Sequence, residues 1–186
     1  MSTTKYYSNI WHSFPFPLDF YTWDSEGRSI KDMVLNNQYA TDMRVSEMNL
    51  NITRFSAFDT TGKEHFITDF PGQEAVSIKG MHAGAFLRSK GVLTLEPGSY
   101  TTLRFYLARN GSGVAYSDRV EESVDGFEYL DFEIENGLTI QGNEAPEAIL
   151  RFDFVPFSES MALNIFKQLF RTPRRYAGKL ADSLAL

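Results

Sequence analysis

Residues 93–107 read LTLEPGSYTTLRFYL, and this alternation restricts the fold more than any other stretch of the chain. Leu93 and Leu95 share one parity, and beyond Pro97 and Gly98 so do Leu103, Phe105 and Leu107. Thr94, Thr102, Arg104 and Tyr106 take the other. Successive side chains of an extended chain leave opposite faces, so apolar residues at every second position mark a half-buried strand. The Pro-Gly pair between the two runs predicts a tight connection. No residue of the stretch suggests catalysis.

Most of the chain follows the same grammar. Residues 18–23 read as a first strand closed by a turn at 24–27, and residues 28–41 hold one helical turn or an irregular crossing. Residues 44–58 form a long strand in which Met48, Leu50 and Ile52 alternate with Glu47, Asn49, Asn51 and Thr53. Its parity slips at Phe55, which predicts a bulge. After a turn at 59–62, residues 65–70 make a partner strand with Phe66 and Phe70 on one face, and residues 75–79 a short one carrying Val76 and Ile78. Residues 80–91 read as a glycine-rich connection with an apolar plug at Phe86 and Leu87, and 110–113 as a turn. Leu130, Phe132 and Ile134 alternate with Asp131, Glu133 and Glu135, and Asn136-Gly137 predicts a type I′ hairpin returning through Leu138 and Ile140. Residues 148–157 close the series, with Leu150, Phe152 and Phe154 inward. The expected fold is all-β: an antiparallel β-sandwich of eight or nine strands, preferred over a barrel because the strands are uneven. A chain of 186 residues suffices for one such domain.

The last segment changes period. Ser158 to Ser160 offers an N-cap, then Met161, Ile165 and Leu169 fall on one helical line with Phe166 and Phe170 beside it. Pro173 interrupts that helix. Residues 160–186 carry five basic groups against the single acid Asp182, a balance of +4, leaving −10 for the rest of the chain. The expected organisation is an aromatic arm at 1–17, a sandwich at 18–157 and a basic amphipathic helical tail at 158–186. Two roles fit the tail: a cap on an open end of the sandwich, or a docking helix for a protein partner or an anionic membrane surface. An acidic body argues against nucleic acid as ligand.

Chemistry-bearing motifs are few. There is no cysteine, which removes disulfides, thiolate metal sites, a thiol nucleophile and a lipid-anchor cysteine. His12, His65 and His82 lie far apart, with no metalloprotease spacing. Gly111-Ser112-Gly113 lacks the strand-to-helix setting of a nucleophile elbow and reads as a turn. The acids from Glu121 to Glu135 read as outward strand residues before they read as a glycosidase pair. No window approaches the roughly 20 apolar residues of a membrane helix. The N-terminus lacks a secretory pattern, which leads to an expected place in the cytoplasm or beside a membrane complex, or in the periplasm or at the cell surface if a leader was removed. No enzyme activity, metal or cofactor is expected.

Residues 1–23 hold eight aromatics, with Pro15 and Pro17 keeping the middle extended. Such an arm suits a partner's groove, sugar rings, or packing of the first strand. The run from residue 43 to 157 resembles a domain of uncharacterised function common in Bacteroidota surface proteins. The matching pieces are MRVSEMNLNITRFSAFDTTG, LTLEPGSYTTLRFYL, YLDFEIENGLTI and ILRFDF. The PGxY turn is similar to that of fimbrillin-type sandwiches. The resemblance implies a prealbumin-like sandwich and no catalytic residues. The expected function is a non-catalytic accessory subunit that docks onto a larger, membrane-associated assembly of other protein subunits through its terminal segments. The residues expected to carry that contact are Trp11, Phe14, Phe16, Ile165, Phe166, Leu169, Phe170, Arg171, Arg174 and Arg175. A carbohydrate-binding or adhesive surface module is the alternative.

Overall fold

Alternating runs become strands almost throughout the computed structural model, whose described residues are 11–14 and 29–158. In chain order these are β1 (Trp11–Phe14), β2 (Ile30–Asn36), a short helix α1 (Gln38–Asp42), β3 (Val45–Asp59), β4 (Glu64–Phe66) and β5 (Gln73–Lys79). A 3-10 turn (Met81–Ala83) leads to β6 (Phe86–Val92), β7 (Gly98–Leu107), β8 (Gly113–Tyr116), β9 (Glu121–Ser123), β10 (Tyr129–Ile140) and β11 (Glu147–Phe152). All join one mixed sheet in the order β1-β6-β11-β2-β10-β7-β3-β8-β9, with β4 and β5 also paired to β3.

The mostly-β expectation holds, while the layering differs from a purely antiparallel sandwich. The sheet is strongly curled into a half-barrel, and β3 is the strand that curls it. Its first half pairs with β5 and β8, its second with β4 and β7. Register shifts between Ile52 and Arg54, where buried parity passes from Met48, Leu50 and Ile52 to Phe55 and Ala57. A bulge bends a strand and deepens its twist, so one strand serves both flanks and no separate second sheet arises. Strands β2 and β11 also run parallel, from Glu147 opposite Ile30 to Phe152 opposite Leu35. Strand β11 is buried at Glu147, Ala148, Ile149, Leu150 and Phe152, the near-continuous burial typical of a parallel strand covered on both faces.

Four local expectations change with this pairing. The Pro97-Gly98 connection is not a hairpin, because β6 pairs with β1 and β11 while β7 pairs with β3 and β10. Leu93 and Leu95 are buried in a crossing segment, which Tyr100 fastens by donating its hydroxyl to Glu96 O at 2.7 Å. Asn136 and Gly137 do have positive φ, 62° and 68°, yet β10 continues through them. Glu133 lies opposite Thr102 and Leu138 opposite Tyr100, so the dipeptide is a bulge in one ladder. Phe66 and Phe70 part company, one exposed and the other buried. The expected glycine-rich connection at 80–91 contains most of β6.

The curl brings β1 against β5, and side chains close the seam. Gln73 donates its amide nitrogen to Trp11 O at 2.8 Å and accepts from the Trp11 backbone N–H at 2.7 Å. Ser13 Oγ donates to Ser77 O at 2.6 Å. The core behind this seam is a file of rings, Trp11–Phe55–Phe105–Phe132–Phe152, with successive centroids 5.2–6.0 Å apart. Those spacings suit edge-to-face and tilted ring pairs. Residues 153–158 then cross the sheet's end, where Val155 N–H donates to Val45 O and Ser158 N–H to Ser117 O. The expected strand at 18–23 and the helical tail lie outside the described residues.

Candidate functional site

Because Leu103, Phe105 and Leu107 turn inward, Arg104 and Tyr106 must turn outward, and the neighbouring strands obey the same rule. Register places Arg54, Tyr106 and Tyr129 in one cross-strand row. The next row is Phe66, Ser56, Arg104 and Asp131, and the one beyond it Glu64, Phe58, Thr102 and Glu133. The outer face of β4, β3, β7 and β10 is thus a lattice of rings and charges.

Most of its polar groups are satisfied within the face. Arg104 donates through Nε and Nη2 to the two oxygens of Asp131, at 2.6 and 2.7 Å. Its guanidinium carbon lies 3.7 Å from the Tyr129 ring centroid and 4.6 Å from that of Phe58. The Asp131 bonds raise the Arg104 pKa further above its ordinary value, so this group stays charged. Glu64 Oε1 accepts from Tyr106 Oη and Ser56 Oγ, each at 2.6 Å. Burial, then the bond to Glu64, pushes the Tyr106 phenol up.

Arg54 and Phe66 differ from these. Phe66 is 43% exposed and stacks on Tyr106 with centroids 5.8 Å apart. Arg54 is exposed, with its guanidinium carbon 4.7 Å from the Tyr106 centroid and 5.4 Å from that of Phe66. It has no ion-pair partner among the described residues. A guanidinium lying over rings keeps in-plane N–H donors open to an oxyanion. The face can therefore bind apolar surface and one anionic group.

Of the residues expected from the sequence to make contacts, Trp11 and Phe14 are described, and both belong to β1. Trp11 is not an exposed anchor: it is 2% exposed and packs edge-on to Phe55. The curl carries β1 to the seam and turns this ring inward. Phe14 belongs to β1 and lies opposite Phe86 in the ladder. Phe16, Ile165, Phe166, Leu169, Phe170, Arg171, Arg174 and Arg175 lie outside the described residues. His65 Nε2 lies 2.9 Å from Asp59 Oδ2, and His82 Nδ1 lies 3.0 Å from Phe154 O, in separate places. Asp59 also accepts from Thr61 and Lys63, and these bonds hold its pKa well below the carboxylate range. Ser112 is buried and its Oγ accepts from Asn51 N–H, so it serves the turn. Among the described residues no three His, Asp or Glu gather as metal ligands would, and no helix is long and apolar enough to cross a membrane.

An open depression of about 560 Å³ lies over β8 and β9, bordered by Glu47, Glu121 and Glu122. Glu47 pairs with Lys79 and Glu122 accepts from Tyr116, so its carboxylates are partly committed to the fold. Arg54, Phe66, Tyr106 and Tyr129 are absent from the residues expected to form a site. The available signal is outward parity: rings and arginines on the solvent side of adjacent strands. Compared with family models, curated proteins and solved structures, the chain matches none.

Proposed function

We propose that this protein is a non-catalytic accessory subunit that docks onto a larger protein assembly through the outer face of β3, β4, β7 and β10. The terminal segments add to the contact, with the basic residues of 158–186 directing the tail to an acidic protein or membrane surface. The observation that carries this reading is the pair Arg54 and Phe66, open to solvent beside Arg104, Asp131, Glu64, Ser56 and Tyr106, which are held by bonds within the face. Contact hot spots favour such pre-organised arginine and aromatic groups, because little conformational freedom remains to be lost on binding.

The test places a photo-reactive benzoylphenylalanine at position 66 of the full chain and, as a control, at exposed position 143. In the source cells, position 66 is expected to cross-link one protein in good yield, with the yield abolished by Arg54→Glu. Equal labelling from both positions would defeat the proposal. Glycan-array binding dependent on Phe66, without a protein cross-link, would replace it with the carbohydrate-binding reading.

A further inference from the structure

If the protein docks through its outer face, the side chains there also restrict the chemistry of the partner. Resting on that docking reading, we infer that Arg54 and Phe66 receive an acidic polypeptide segment, one carboxylate meeting Arg54 beside an apolar side chain laid on Phe66.

Charge pairing across the face leads there. The Arg104 charge is matched by Asp131, and Glu64 is engaged by two hydroxyls. Of the two arginines on the face, only Arg54 lacks a carboxylate among the described residues, and it sits at the solvent side of two rings; the face's other unpaired charge among those residues, the exposed Glu133, lies two strands and two rows away. A guanidinium held over rings offers paired parallel donors, which match the two oxygens of a carboxylate. The exposed Phe66 ring supplies apolar area directly beside it, so the complementary surface carries a negative charge next to an apolar group. Residues 160–186 carry a balance of +4 against −10 for the rest of the chain, so an acidic segment would suit the Arg54 contact and the tail, and not the acidic body between them. A basic partner would place like charges at both contacts, which costs affinity and selects against it.

The experiment selects twelve-residue peptides from a random display library against the full chain, then measures the best of them by fluorescence anisotropy. Selected peptides are expected to be rich in Asp and Glu beside an aromatic or aliphatic residue. Arg54→Glu is expected to weaken them about tenfold or more and Phe66→Ala about three- to tenfold, the range of a contact anchor. Arg54→Lys retains charge but loses the fork and should fall between. Arg119→Glu, an equal charge reversal on the exposed β8–β9 turn, should change affinity less than about twofold. Thermal denaturation of each variant keeps unfolding from being read as lost contact. Peptides that depend on Arg54 or Phe66 but are neutral or basic would overturn the acidic assignment and leave the docking face standing. Peptides indifferent to both substitutions, or no selected peptides at all, would overturn the assignment and remove support for the face.

Discussion

Replacing Trp11 separates two accounts of the N-terminal strand. If its ring anchored a partner, Trp11→Ala would cost affinity and leave stability alone. Its place in the fold requires the opposite outcome, since the ring is 2% exposed and packs on Phe55 at 5.4 Å. Truncating a buried Trp removes its transfer free energy and leaves a cavity, together about 3–5 kcal/mol. Against the roughly 5–15 kcal/mol of a typical domain that is a large fraction. At about 2–4 °C per kcal/mol for a chain of this size, the melting temperature should fall by about 6–20 °C. One offset is visible: Trp11 Nε1 is buried without a hydrogen-bond partner among the described residues. An unmade bond of that kind costs about 1–3 kcal/mol. Trp11→Phe should therefore lose much less than Trp11→Ala, because the smaller ring gives up area and also discards the orphan donor. Gln73→Ala, which removes both clamp bonds from the Trp11 backbone, should cost about 1–3 kcal/mol. Urea unfolding followed by far-UV circular dichroism reads all three. A loss below about 1 kcal/mol for Trp11→Ala would refute the buried-plug account of β1.

Other positions give independent checks. Ala75 has φ 53°, a left-handed backbone that a β-carbon disfavours, so Ala75→Gly should stabilise the fold by up to about 1 kcal/mol in the same urea assay; destabilisation would contradict the strain. The Asp59 carboxyl is held well below its ordinary pKa in the fold, first by its bonds to Thr61 and His65. A depressed carboxylate contributes stability that is complete above its unfolded pKa and is lost as pH falls toward its folded one. The wild type should thus lose stability more steeply than Asp59→Asn below about pH 4, and parallel acid limbs would reject that linkage. A double-mutant cycle on Arg104→Ala and Asp131→Ala should give a coupling of about 1–2 kcal/mol, as expected for a two-pronged, part-buried pair; a value near zero would mean the pair contributes nothing.

The sequence is most legible where local rules decide. Inward parity is correct for Met48, Leu50, Ile52, Leu103, Phe105, Leu130, Phe132 and Phe152, and the parity slip before Phe55 marks the bend in β3. Asn136 and Gly137 adopt the positive φ their chemistry suggests. What those residues do with it depends on distant partners: Tyr100 and Thr102 hold β10 in one ladder, so a hairpin signal becomes a bulge. Strand neighbours are illegible for the same reason. Nothing local to residues 93–98 says that the chain crosses from β6 to β7 past three intervening strands. Trp11 misleads because a Trp among prolines and tyrosines looks alike on an arm and in a seam. The outer face is invisible in one dimension because its members come from four strands, and only their register brings Arg54, Phe66, Tyr106 and Tyr129 together.

Amide hydrogen exchange on the isolated protein and on the same protein within its native assembly would examine the docking face without altering a residue. Slowed exchange is expected in β4 and the adjoining halves of β3 and β7, with α1 and the 3-10 turn at residues 81–83 unchanged. Slowing confined to those two segments, or to none of the sheet, would contradict the placement of the contact.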